Sequence, residues 1–222
     1  MDSADTPAAT TLDIMSDPIC PWCYIGKAKL DAALREAPGT ALDIHWRVYQ
    51  LNPDMPAGGM DRTQYLENKF GGAEGARGVY GRIEQAVRDA GLPLDFGRIT
   101  RTPNTLDAHR LIRWSRTPGR QEAVVDALFA AYFVEGVDIG DRDALIGIGV
   151  AQGMDEDLLR RLYAEDADRA LLENEDALAR EMGVTGVPCF VLDETYALVG
   201  AQEAATWRAV FSRLARGEGP GA

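Results

Sequence analysis

Cys20-Pro21-Trp22-Cys23 is the stretch whose reading decides the fold. It follows a short apolar run, Leu12 to Met15, and opens a segment with helical spacing. Two thiols at i and i+3 in the first turn of a helix can close a disulfide and reopen it. A helix N-terminus carries partial positive charge and unpaired N–H groups, which favour a thiolate over a thiol. Cys20, at that end, is expected to be the attacking and more exposed sulfur. Cys23, one turn further in, is expected to be the resolving one. Pro21 suits the first turn, where a missing N–H costs nothing. A C-x-x-C can also be half of a zinc site, but zinc takes about four ligands. The chain adds only Cys189, His45 and His109, none at second-knuckle spacing. Redox chemistry is therefore the leading reading, with no metal expected.

Working outward, Leu12 to Met15 is a strand candidate, and Ser16-Asp17-Pro18-Ile19 is the turn that delivers the chain to Cys20. Ile25, Ala28, Ala32 and Ala33 form a helical stripe that Pro38-Gly39 ends. Leu42, Ile44, Trp46 and Val48 alternate with Asp43, His45 and Arg47, the pattern of a half-buried strand. Strand, helix and strand at this spacing predict a parallel, right-handed crossover. The motif then lies at the carboxyl end of the first strand, where open α/β sheets place their chemistry.

From Leu51 the character changes. Pro53, Pro56, Gly58 and Gly59 make a loop. Between about Thr63 and Asp166 the patterns predict about five helices and no strand. Thr63 is a candidate cap for the first helix. Val79, Ile83, Ala86, Val87 and Ala90 form a strong stripe that Gly91 stops, and Gln121 to Val134 reads as the buried helix of this block. Asp141 and Asp155 are candidate N-caps. Gly71, Gly72, Gly75 and Gly78 read as a flexible junction between helices, since their spacing is not a dinucleotide fingerprint. A helix over about 169–182 carries Leu171, Leu178 and Met182 on one side. Val184 to Leu192 reads as one strand, Asp193-Glu194-Thr195 as a turn, Tyr196 to Val199 as the return strand, and 204–214 as the closing helix.

The order is βαβ, a helical block, then αββα. Neither outer piece completes a sheet. Together they make one four- or five-stranded mixed sheet, with the block as an insertion.

The chain has 222 residues, 46% of them hydrophobic and 26% charged, enough for one large domain or a domain with an insertion. No run of 18 apolar residues occurs, so no membrane-spanning helix is expected. A formal net charge of -12 disfavours nucleic-acid binding through a basic surface. Met1 to Thr10 shows neither the basic start nor the apolar stretch of a secretory signal. Three cysteines fit a catalytic pair in a reducing compartment, so a cytoplasmic location is the expectation.

The arrangement resembles the DsbA-like thioredoxin superfamily, specifically its FrnE-like branch, a relative of the 2-hydroxychromene-2-carboxylate isomerases. The likeness is carried by Asp17-Pro18-Ile19-Cys20-Pro21-Trp22-Cys23-Tyr24-Ile25-Gly26, by Leu51-Asn52-Pro53, and by Pro103-Asn104-Thr105-Leu106-Asp107-Ala108-His109-Arg110. Phe133, Glu135-Gly136, Asp138-Ile139-Gly140-Asp141, Gly183-Val184-Thr185-Gly186-Val187-Pro188 and Gly200-Ala201-Gln202 extend it over nearly the whole chain. The fold implied is α/β: a thioredoxin fold with a large all-helical insertion. The expected division is a discontinuous thioredoxin-like domain over 11–58 and 168–216, a helical insertion over 60–167, and flexible termini at 1–10 and 217–222.

The resemblance further implies a cis Val187–Pro188 bond whose loop faces the cysteine pair and presents the Val187 backbone to an extended substrate. Strongly oxidising relatives have Pro-His between the cysteines. Trp22 cannot stabilise a thiolate by charge, so a less oxidising couple is expected. Trp22 is expected to be exposed, against apolar substrate surface. Cys189 reads as a small buried hydrophobe, as a third thiol that traps or resolves mixed disulfides, or as part of a metal site with the pair. His109 is either a hydrogen-bonded, partly buried histidine or a residue that tunes the thiolate. His45 is read as structural or exposed. Asn52 and Asn104 match positions that bind glutathione or substrate in the isomerase branch.

The function expected is thiol–disulfide exchange through a mixed disulfide on Cys20. The substrate is a thiol- or disulfide-bearing protein or small molecule. No tightly bound cofactor is expected. Glutathione is the candidate co-substrate, and a homodimer the default assembly. A glutathione-dependent isomerase of small aromatic substrates is the alternative, disfavoured because that branch tends to carry Ser at position 20. A chaperone-like peptide-binding module is the non-catalytic reading.

Overall fold

The computed structural model describes residues 9–117 and 119–219. Strand β1 (Thr10–Ser16) leads into helix α1 (Pro21–Glu36) and strand β2 (Leu42–Val48). The chain returns to the same sheet after the helical block as β5 (Cys189–Leu192) and β6 (Tyr196–Val199), then ends in α9 (Ala204–Leu214). The sheet order is β2-β1-β5-β6. β1 runs parallel to β2 and antiparallel to β5, and β5 and β6 form an antiparallel hairpin. Leu12 and Ile14 of β1, with Phe190 and Leu192 of β5, are completely buried at the centre. Phe190 meets the Trp207 ring of α9 edge-on. This is the mixed four-stranded thioredoxin sheet, with the helical insertion between its second strand and its hairpin.

The insertion departs from the sequence reading in detail. A two-residue strand, β3 (Met60–Asp61), pairs antiparallel with β4 (Arg101–Thr102), where only helices were expected. Ladders this short are invisible to periodicity. Among the described residues the insertion also holds six α-helices, α2 (Arg62–Phe70), α3 (Ala73–Asp89), α4 (Leu106–Trp114), α5 (Arg120–Ala130), α6 (Arg142–Ala151) and α7 (Glu156–Ala164), and a 3-10 turn at Phe96–Arg98. A short π-helix, Ala131–Glu135, continues α5. Asp61, not Thr63, caps α2, its carboxylate accepting from Gln64 N at 3.1 Å. Asp141 and Asp155 cap α6 and α7 in the same way. Gly71 and Gly72, at φ 72° and 116°, separate α2 from α3, but Gly75 and Gly78 lie inside α3 rather than in the junction.

Helix α8 (Arg169–Glu181) corrects a second expectation. Leu178 and Met182, read as one side of a packed stripe, are 53% and 74% exposed. The inward face carries Leu172 and Asp176 instead. A buried aspartate on that face hides its periodicity; Asp176 accepts from Gln50 N at 2.8 Å and pairs with Arg180. The strand expected over 184–192 begins only at Cys189. Val184 N instead closes the end of α8 on Ala179 O, and Pro188 has no amide to donate to a ladder. Thr10, expected in a loose arm, opens β1; residues 1–8 and 220–222 of the expected flexible termini lie outside the described residues. Among the described residues no helix is long and apolar enough to cross a membrane.

Candidate active site

β1 stops at Ser16, and Cys20 forms the N-cap of α1 with Pro21 in the first turn. The Cys20 carbonyl accepts from Cys23 N and Tyr24 N, so the helix starts on the motif itself. Both cysteines are free thiols, one turn apart on one helix end. Cys20 was expected to be the open sulfur. It is the more exposed of the two only in rank, at 3% against 0% for Cys23. The reason is the loop across from it: the Cys20 thiol donates to the Val187 carbonyl at 3.7 Å. The Val187–Pro188 bond is cis. Gly26 allows this approach, because a Cβ there would stand 2.9 Å from Pro188 Cγ. Burial pushes the Cys23 thiol well up, and Cys20 beside it adds to the effect; the Ser16 side chain and Asp17 backbone act in the opposite direction.

Beneath the loop lies an acid the sequence reading quoted but did not single out. Asp17 is 0% exposed. Its carboxyl accepts from Leu51 N at 2.7 Å and Ile19 N at 3.3 Å. Burial nevertheless raises its pKa to about 7, against those bonds and one from the Thr105 side chain, with Asp176 adding a smaller push upward. His109 Nε2 stands 3.9 Å from this carboxyl and has no hydrogen-bond partner. Burial lowers the His109 pKa to about 3, opposed by a hydrogen bond to the Tyr49 backbone. Desolvation disfavours both charges; with the imidazole held neutral at neutral pH, this contact is not a salt bridge. His109 is thus fully rather than partly buried, and only half satisfied.

The other expected residues separate. Trp22 is 41% exposed and, with Val187, Ala201, Ala86 and Ala90, lines a cavity of about 610 Å³. Asn52 accepts from Tyr65 OH and Lys69 Nζ, while its Nδ2 is buried without a partner. Asn104 is a clamp: it accepts from Leu106 N and Gln50 Nε2 and donates to Met55 O. Cys189 is buried, and burial raises its pKa. The next residue, Phe190, points its ring at Gly26 of α1. Strand alternation sends Cys189 to the opposite face of the sheet, away from the pair. Among the described residues no three His, Cys, Asp or Glu side chains gather as metal ligands. His45 is half-exposed beside Asp43.

The insertion packs on α1 just after the pair. Tyr24 stacks on Phe133, which meets Phe96 edge-on, and Phe96 in turn meets Tyr80. Ile83 and Val87 of α3 pack on Ile25 of α1.

The chain belongs to the family described as DSBA-like thioredoxin domain, whose model matches residues 11–211. A probable DsbA oxidoreductase from Streptomyces coelicolor superposes with a TM-score of 0.80 at 29% identity, covering 94% of this chain and 91% of that one. A 2-hydroxychromene-2-carboxylate isomerase shares the fold at TM-score 0.70 and 16% identity, over 93% and 97% of the two chains. The cytosolic disulfide reductase DsbM from Pseudomonas aeruginosa, in a structure with GSH, does so at TM-score 0.62 and 24% identity, over 93% and 99%.

Proposed function

We propose that this DsbA-like protein is a thiol–disulfide oxidoreductase that works through Cys20 and Cys23. The observation that carries the reading is the cysteine pair at the start of α1, with the Cys20 sulfur against the Val187 carbonyl. In the oxidised form a substrate thiolate attacks Cys20 Sγ. The Cys20–Cys23 bond breaks, Cys23 leaves as thiolate and takes up a proton, and a mixed disulfide forms on Cys20. A second substrate thiolate attacks the substrate sulfur and releases Cys20. The substrate is oxidised by two electrons and the pair reduced by two. In reverse, Cys20 attacks a substrate disulfide and Cys23 resolves it.

A cytoplasmic setting and glutathione as co-substrate belong to this proposal. The small cysteine count and the unpartnered Asn52 amide beside Lys69 support them. Cysteine at position 20 favours this reading over glutathione-dependent isomerisation. The test is exchange with glutathione disulfide and with a protein disulfide. Cys20→Ala is expected to abolish both. Cys23→Ser is expected to accumulate a mixed disulfide on Cys20. Full activity in Cys20→Ala would refute the proposal, and client protection surviving loss of both cysteines would favour a binding module.

A further inference from the structure

Among the described residues Arg62 of helix α2 forms no ion pair, although acidic residues outnumber basic ones 35 to 23 in this chain. Arg62 is half-buried at the first turn of α2. Its guanidinium donates to three neutral oxygens: Nη1 to Thr102 Oγ1 at 3.1 Å and Tyr132 OH at 3.5 Å, and Nη2 to Tyr80 OH. Its Cζ lies 5.2 Å from the Tyr80 ring centroid and 5.6 Å from that of Tyr65. Among the described residues no carboxylate pairs with it. Lys69, about two turns along α2 and 5.1 Å from the Tyr65 centroid, among the described residues also binds only neutral oxygens, those of Asn52 and Tyr65. A guanidinium has five N–H donors. Three are used here, leaving Nε–H and one Nη2–H. Neither nitrogen is a buried atom without a partner. A cavity of about 250 Å³ opens beside them, lined by Arg62, Tyr80, Phe96 and Leu66, with Glu67 and Glu84 also in its wall.

Helix α3, which walls this cavity with Tyr80, also lines the separate cavity beside Trp22 and Val187 through Ala86 and Ala90. Tyr80 stands on α3, whose Ile83 and Val87 pack on Ile25 of α1, and its ring contacts reach Tyr24 through Phe96 and Phe133. Burial pushes the Tyr80 hydroxyl pKa up and Arg62 opposes this, with Tyr65 and Cys20 adding smaller pushes upward. A half-buried cation that is hydrogen-bonded but not neutralised is a receptor for an anion, and two free N–H groups match what a bidentate carboxylate takes.

We propose that Arg62, held by Tyr80, Thr102 and Tyr132, is an anion subsite that selects thiols and disulfides carrying a carboxylate. This rests on the thiol–disulfide exchange reading above. The substrate carboxylate sits on Arg62 while its sulfur meets Cys20. The exchange itself is unchanged: the thiolate attacks Cys20 Sγ, Cys23 leaves, and the electron count stays at two.

The test measures the rate at which three small thiols reduce the Cys20–Cys23 disulfide, each normalised to its thiolate concentration. They are 3-mercaptopropionate (anionic), 2-mercaptoethanol (neutral) and cysteamine (cationic). In the wild type the anionic thiol is expected to be fastest. In Arg62→Gln the anionic-to-neutral ratio is expected to fall about tenfold, the scale of a lost charge-assisted pair. Arg62→Lys should keep part of the preference. Intrinsic differences between thiols cancel in this ratio of ratios. Should Arg62→Gln not fold, propionate serves on the wild type: it is expected to slow 3-mercaptopropionate and leave 2-mercaptoethanol unchanged. An anionic-to-neutral ratio equal in the wild type and Arg62→Gln, or propionate without effect, overturns the subsite while leaving the redox reading intact. Failure of all three thiols to reduce the pair overturns both.

Discussion

Replacing Asp17 by Asn should change how stability depends on pH, with a sign and size set by the structure. The folded-state pKa of Asp17 is raised from 3.8 to about 7 by burial. Between those values the folded protein holds a proton that the unfolded chain has lost. The contribution of Asp17 to stability therefore falls as pH rises through this window, and levels off above it. His109 does the opposite. Its pKa drops from 6.5 to about 3, so its contribution is lost as pH falls through that range. Each group contributes a slope of about 1.4 kcal/mol per pH unit. Where the windows overlap the two slopes cancel, and this pair leaves wild-type stability nearly flat. Asp17→Asn keeps an acceptor for Leu51 N and removes only the titration. Relative to wild type it should gain about 3 kcal/mol between about pH 4.5 and pH 7, following from that slope. His109→Gln should gain relative to wild type in the other direction, as pH falls below 6.5. Urea unfolding of the three proteins across this range reads the differences directly, and groups common to all cancel. A difference between Asp17→Asn and wild type that stays constant with pH would mean that Asp17 titrates as an ordinary carboxylate, and the argument from burial would fail.

Other substitutions probe the frame around the site. Gly26→Ala should cost about 1–3 kcal/mol by overpacking α1 against Pro188, measured as a lower urea midpoint; an unchanged midpoint would show that the contact yields freely. Arg110→Ala should cost about 3–5 kcal/mol. Arg110 is 0% exposed, pairs with Asp107 and donates to the Ala167 and Leu162 carbonyls, all of which lose a partner. A melting temperature equal to wild type would contradict this. Trp22→Ala should slow exchange with a protein disulfide while leaving 2-mercaptoethanol unaffected, because only a polypeptide reaches the exposed ring and the cavity beside it. Equal slowing of both would assign Trp22 to the chemistry at the sulfurs instead.

What the sequence made legible follows from which features are local. Alternation in Leu42 to Val48 and the apolar run before the motif mark β2 and β1 because a half-buried strand writes its burial into every second residue. Asp141 and Asp155 are readable as caps because the hydrogen bond spans only three residues. Cys20 and Cys23 are readable because i, i+3 spacing fixes their separation once the helix forms. The unread parts depend on distant chain. Asp176 faces inward because Gln50 N is there to receive it, so α8 showed the wrong stripe. Asp17 stands in the motif, yet its altered acidity comes from burial under distant parts of the chain, against the hydrogen bonds from Leu51 and Thr105. Arg62 looks like an ordinary surface residue of a polar helix. Only the fold sets three phenols and a threonine around it. Cys189 is the converse case. Its nearness in sequence to Pro188 suggested a third reactive thiol, but strand alternation turns it to the far face.

The central claim is that Cys20 and Cys23 act as one two-electron couple, and equilibrium titration against glutathione buffers tests it most directly. The protein should show a single two-electron transition at a potential between about −120 and −300 mV, the span from strong oxidants to structural disulfides. Cys23→Ser should lose that transition. Absence of a two-electron transition in the wild type, or its persistence in Cys23→Ser, would contradict the account.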